Sequence, residues 1–201
     1  MPQLQEQQQQ QQDRRLQVRF PPPLASINTP VHNHLHKPSW LHNPFQHDME
    51  PPKLAANFSG TWLKDREASD SMADAITLMG LSGLMRQAIK LIKGITVTQD
   101  DASFSMAVFS VLSWFKVSET YSLDGTSSSC RRRDFRRGGH KGRVAVPSPD
   151  KLQLHLQWDD PYGGTGLDEF TMPSADVLHV QSTVSVNGKT CSYRQVYNRK
   201  P

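Results

Sequence analysis

The 201-residue chain reads as a mainly β protein, an antiparallel sandwich or closed barrel with one pair of short helices after its first strand. Three observations predict this. Apolar residues recur with helical spacing only between Ser71 and Gly94, the sequence after Gly94 alternates apolar and polar residues with period two, and turn residues punctuate it at short intervals. Closing such a sheet removes the unpaired edges that an open antiparallel sheet has to protect.

Order is expected from Leu54 onward, with Asn57-Phe58-Ser59-Gly60-Thr61-Trp62 as the first strand. Met72, Ala75, Ile76 and Met79 then form one apolar stripe of a first helix, with Ser71 and Asp74 to satisfy its first-turn N–H groups and Gly80 to end it. A second helix starts near Ser82, carries Leu84, Ala88, Leu91 and Ile92 on one face, and has Lys90 and Lys93 in its last turn, where cations suit the dipole; Gly94 closes it. Ile95 and Val97, then Phe104, Met106 and Val108, then Phe115 and Val117 mark strands, with turns at Asp100-Asp101 and Asp124-Gly125. Leu152, Leu154, Leu156 and Trp158 alternate cleanly with Gln153, His155 and Gln157. In the last hairpin Asn187-Gly188 demands a two-residue turn, which pairs Val186 with Lys189. That register puts Val180, Ser182, Val184, Cys191, Tyr193, Gln195 and Tyr197 on the inner face and Arg194 on the outer.

Residues 1–53 are expected to form a disordered tail, because the glutamine run Gln7–Gln12, Pro21-Pro22-Pro23 and the His- and Asn-rich stretch to Pro52 bury too little apolar surface to offset their ordering entropy. The histidines His32, His34, His36, His42 and His47 follow this compositional bias, and no metal or cofactor is expected. No apolar run reaches the roughly 18 residues of a membrane span, so a soluble, cytoplasmic monomer is expected. Cys130 and Cys191 lack metal-ligand spacing and read as reduced thiols. The net charge of +4 is concentrated between Cys130 and Arg143, where seven Lys and Arg residues face one acid, Asp134. Arg131, Arg132, Arg133, Arg136 and Arg137 there are candidate contacts for an anionic membrane surface. Only Phe135 interleaves them, too few aromatics for a nucleic-acid stacking surface.

Five short motifs, in order over residues 54–201, resemble the intracellular fatty-acid-binding proteins of the calycin (lipocalin) superfamily. Phe58-Ser59-Gly60-Thr61-Trp62 is similar to the family's F-x-G-x-W, Met79-Gly80-Leu81 with Arg86 to its L-G-V-x-x-x-x-R, and Phe115-Lys116 with Glu119 to its F-K-x-x-E. Lys151–Trp158 and Val186–Cys191 resemble two further strands. The resemblance implies a ten-stranded up-and-down clam barrel around a cavity, lidded by the helical hairpin through Met72, Ile76, Met79, Leu84 and Leu91. It also implies non-enzymatic transport of a hydrophobic small molecule.

The family's fatty-acid binders hold the ligand carboxylate with an interior Arg-x-Tyr on the last strand and a second interior arginine. Here that motif falls on Tyr193-x-Gln195 or Gln195-x-Tyr197, and the second position on Leu167 or Asp168, with no arginine between Arg143 and Arg194. An interior built from Asp168, Val184, Cys191, Tyr193, Gln195 and Tyr197 suits an uncharged head such as an alcohol, aldehyde or ester. The same polar groups also read as hydrogen-bonded interior residues without a ligand. Two other classes stay open: a calycin-type lipid-modifying enzyme using His155, His179, Tyr193 or Glu169, and a haem-binding barrel with His155 or His179 as axial ligand.

Overall fold

The computed structural model describes residues 53–112 and 115–201. The tail expected over residues 1–53, with its histidine cluster, lies outside the described residues apart from Lys53. Ten antiparallel strands form one sheet: β1 (Gly60–Asp65), β2 (Ile92–Gln99), β3 (Ser103–Ser110), β4 (Val117–Ser122), β5 (Ser128–Arg131), β6 (Gly139–Ser148), β7 (Lys151–Trp158), β8 (Gly164–Ser174), β9 (Val177–Val186) and β10 (Lys189–Arg199). Each pairs with its neighbour in sequence except β4 with β5. β1 closes against β10, while β4 and β5 are the two ends of the hydrogen-bonded order. The seam between them is bridged by side chains. Cys130 Sγ lies 3.8 Å from Thr120 O, and the Tyr121 ring lies over Gly142, where a Cβ would strike it.

The last hairpin has the register its turn demands. Val186 pairs with Lys189, Ser182 with Tyr193 and Leu178 with Tyr197, and Asn187 and Gly188 both adopt positive φ, which Gly tolerates freely and Asn better than most residues. Two helices follow β1: α1 (Ala73–Leu78) and α2 (Gly83–Lys90). Gly80, at φ +59°, supplies the left-handed residue after α1. At the start of α2, Ser82 Oγ accepts a hydrogen bond from Met85 N.

Gly94 does not close α2, which ends at Lys90 with Leu91 as its cap. Residues 92–94 already belong to β2, and Gly94 is required there because a Cβ would collide with the Trp62 carbonyl and the Phe109 ring. The lid face also differs from the expected one. Leu84 is 66% exposed, whereas Leu81, Met85 and Ala88 are buried, because the stripe continuing into Ile89 and Ile92 faces the barrel.

Alternation fills the interior. Phe58, Trp62, Phe104, Leu152, Leu154, Phe170 and Leu178 are fully buried and form the larger core; a smaller one joins the helices to Phe115 and Val117. Phe104 meets Phe170 at 5.1 Å and Phe58 at 6.5 Å, both edge-on. Phe104→Ala should cost about 3–5 kcal/mol of stability, read as a lowered midpoint in urea denaturation.

Candidate functional site

A cavity of about 180 Å³ lies between the helices and the sheet. Met72, Met79, Leu81, Met85 and Ile89 form its roof; Ile95, Met106, Val108, Phe170, Val180 and Val184 supply apolar wall. Of the expected lid residues, Met72 and Met79 line it and Ile76 is buried in the packing behind it, while Leu91 is half-buried beyond the lining. Val184, Asp168, Tyr193, Gln195 and Tyr197 line the cavity; Cys191 is half-buried outside it.

The polar wall carries an arginine from outside the positions that the family's fatty-acid binders use. Arg133, in the turn between β5 and β6, reaches inward and lines the cavity. Its Nη2 donates to Glu119 Oε2 at 2.7 Å, its Nε to the same carboxylate at 2.8 and 3.0 Å, and its Nη1 to Asp168 Oδ2 at 2.7 Å. Glu119 on β4 is fully buried and Asp168 on β8 nearly so, while the Arg133 side chain is 32% exposed. The second Asp168 oxygen accepts from Ser182 Oγ at 2.6 Å, and the Tyr121 hydroxyl donates to Glu119 at 2.9 Å and lies 2.9 Å from His140 Nε2. The charge run around Arg133 reads as solvated, which is why the sequence assigns it to a membrane-facing patch; the structure instead turns it into the cavity, where it pairs with Glu119 and Asp168.

These contacts set the titration behaviour. Burial pushes the Glu119 carboxyl up, but the Arg133 guanidinium beside it, helped by His140 and the Tyr121 hydroxyl, holds it below the ordinary glutamate value. Burial, outweighing the attraction of Glu119, lowers His140 and favours its neutral form. Burial first, then Asp168, pushes the Tyr193 hydroxyl up to about 12, and Tyr197 is raised mainly by burial, so both are neutral hydroxyls at neutral pH.

A second inward cation is Lys64, two residues after Trp62 on β1 and opposite Tyr197. Its signal was present in the sequence: period two puts it on the same face as Trp62. Gln195 directs its amide nitrogen to the carbonyls of Asp70 (3.0 Å) and Arg194 (3.1 Å), and among the described residues its buried Oε1 meets no donor.

The five arginines expected on a membrane-facing patch divide. Arg131 and Arg137 are exposed. Arg132 is buried, paired with Asp134 at 2.8 Å and donating to Tyr162 O at 3.2 Å, and Arg136 donates to the carbonyls of Met79 (3.1 Å) and Gly80 (2.7 Å) at the end of α1. Arg136 also stacks over the Tyr162 ring at 3.9 Å. Local carbonyls and one acid hold these two side chains, so they strap the segment after β5 to the end of α1 and to Tyr162 rather than forming a free basic surface.

The residues considered for chemistry are not brought together. His155 and His179 alternate with inward-facing Leu154, Leu156, Leu178 and Val180 and so lie on the outer face, as does Glu169, which pairs with Lys151 at 3.0 Å; only Tyr193 faces the cavity. A haem in the cavity would find neither His155 nor His179 pointing at it. Among the described residues no group of three His, Cys, Asp or Glu side chains is placed to hold a metal, and no helix is long and apolar enough to cross a membrane.

No protein-family model matches the sequence, and neither does any curated protein. Solved structures do match by shape. A Schistosoma mansoni fatty acid binding protein in complex with arachidonic acid aligns over 73% of this chain and 98% of its own, with TM-score 0.56 and 23% identity. Caenorhabditis elegans lipid binding protein 8 aligns over 71% and 95% at TM-score 0.59 and 12% identity, and human cRBP IV over 72% and 99% at 0.53 and 22%. The fold is therefore that of the intracellular fatty-acid-binding proteins: ten antiparallel strands in a nearly closed barrel with two short helices after the first.

Because Glu119 titrates below its ordinary value in the folded chain, its ion pair stabilises the fold above the unfolded-state pKa, and that contribution is lost as pH falls through the folded one. Glu119→Gln should cost roughly 2 kcal/mol, less than a fully buried pair because Arg133 is partly solvated and keeps Asp168. Thermal melts from pH 7 down to pH 3 (about the range in which carboxylates titrate) should show a shallower acid dependence for the variant than for the native chain.

Proposed function

We propose that the chain is a non-enzymatic cytoplasmic carrier that binds a small hydrophobic molecule with an uncharged polar head in the barrel cavity. The observation that carries this reading is the buried Gln195 Oε1, an acceptor that meets no donor among the described residues, on a side chain lining a cavity whose walls are largely apolar. Leaving such a group unmet costs about 1–3 kcal/mol, which a ligand hydroxyl would recover. A ligand carboxylate there finds the Arg133 guanidinium already divided between Glu119 and Asp168, and adds a negative charge beside Asp168. The lid resembles the gating helices that the family likeness implies, and Arg136 fastens its α1 end.

At about 180 Å³ the closed cavity is smaller than the roughly 300 Å³ at which ligand pockets usually begin, so a long chain enters with displacement of Met72, Met79 or Met85, which are unbranched and adaptable. Hexadecanol should displace a fluorescent lipid probe at lower concentration than palmitate at neutral pH; the opposite order overturns the choice of head group. Absence of displacement by either overturns the carrier itself.

Anionic membrane is the proposed delivery surface, approached by exposed Arg131 and Arg137 beside the mouth. Each surface cation contributes about 1 kcal/mol, so R131A/R137A should weaken binding to phosphatidylserine-containing vesicles by roughly thirtyfold at low salt; unchanged binding removes the surface from consideration.

A further inference from the structure

We propose that Lys64 is a covalent attachment point for ligands of one class, long-chain aldehydes, which it holds as a reversible imine. The inference rests on the carrier reading and names a ligand chemistry within it. Lys64 lines the cavity and, among the described residues, makes no hydrogen bond or ion pair. The acids that line the cavity or flank it are engaged elsewhere. Asp168 is held by Arg133 and Ser182, Asp134 by Arg132, and Asp65 by the amides of Glu67 and Ala68 and by Asn198. An amine without a counter-ion, beside an apolar chamber, is the arrangement in which lysine acts as a nucleophile toward carbonyls. Burial, reinforced by the nearby charge of Arg66, lowers the Lys64 pKa below its ordinary value and enlarges the share of free amine.

The second part of the site is already in place. Lys64 pairs with Tyr197, so Gln195, two residues back on the same inner face, is its diagonal neighbour, a separation of about 7–8 Å that a long side chain spans. The free-amine lone pair of Nζ adds to the aldehyde carbon, the C–N bond forms as the carbonyl π bond opens, and a proton moves from nitrogen to oxygen. The resulting carbinolamine carries a hydroxyl, the kind of donor Gln195 Oε1 lacks. The carbinolamine C–O bond then breaks as the nitrogen lone pair forms the C=N bond, the hydroxyl leaves as water with the remaining N–H proton, and addition of water reverses the step. Neither oxidant nor reductant takes part.

The full chain would be incubated with hexadecanal, trapped with cyanoborohydride, and the adduct located by peptide mass spectrometry. One adduct is expected, on Lys64, forming at least about tenfold faster than on any other lysine because the cavity concentrates and orients the aldehyde. K64R should lose it, and K189R, on the exposed hairpin turn, should keep it. Adducts spread evenly over the lysines overturn the proposal, as does unreactive Lys64 in protein from which hexadecanol still displaces the lipid probe; that result leaves the carrier reading standing. Failure of hexadecanol and hexadecanal alike to displace the probe overturns both. Should palmitate displace the probe best, and K64M abolish that preference, Lys64 is a carboxylate counter-ion and the imine is excluded.

Discussion

The clamp of Arg133 on Glu119 and Asp168 is the contact on which the architecture of the cavity turns. Two carboxylates buried inside a barrel are costly unless each meets a cation, and Arg133, which lies outside the strands, meets both. The turn between β5 and β6 places it there by folding inward. Once Arg133 enters the barrel, its neighbours are carried over the mouth, where Arg132 and Asp134 pair and Arg136 reaches the end of α1. The interior electrostatics and the fastening of the lid therefore have a common origin.

The same clamp compensates for the seam. β4 and β5 end the hydrogen-bonded order without joining, yet Glu119 belongs to β4, Asp168 to β8, and the guanidinium between them to the segment that leaves β5. Tyr121 closes the next level, with its ring over Gly142 and its hydroxyl against His140 of β6. Side chains thus supply across this gap the contacts that backbone ladders supply elsewhere.

Sequence periodicity made most of the frame legible. Asn187-Gly188 determined the register of the last hairpin, and with it the inward placement of Ser182, Tyr193, Gln195 and Tyr197, because a two-residue turn leaves one pairing. The second helix was harder. Leu84–Ala88 and Met85–Ala88 both satisfy helical spacing, and only the longer stripe from Leu81 to Ile92 separates them. Arg133 was illegible for a different reason: a run of like charges is normally solvated, and nothing local distinguishes the member that turns inward. That distinction depends on Glu119 and Asp168, which lie 14 and 35 residues away.

Lys64 marks the boundary between these cases. Its inward position follows from Trp62 by simple alternation, yet its chemical character follows from the absence of a partner, which only the folded chain reveals. A lysine on an inner strand face would ordinarily be matched by an acid, and this cavity contains acids. Arg132 holds Asp134 bidentately, and Arg133 holds Asp168 through Nη1 while Ser182 takes its other oxygen. With both acids held by arginines, Lys64 stands without a partner among the described residues in the cavity that Asp168 and Asp134 also line.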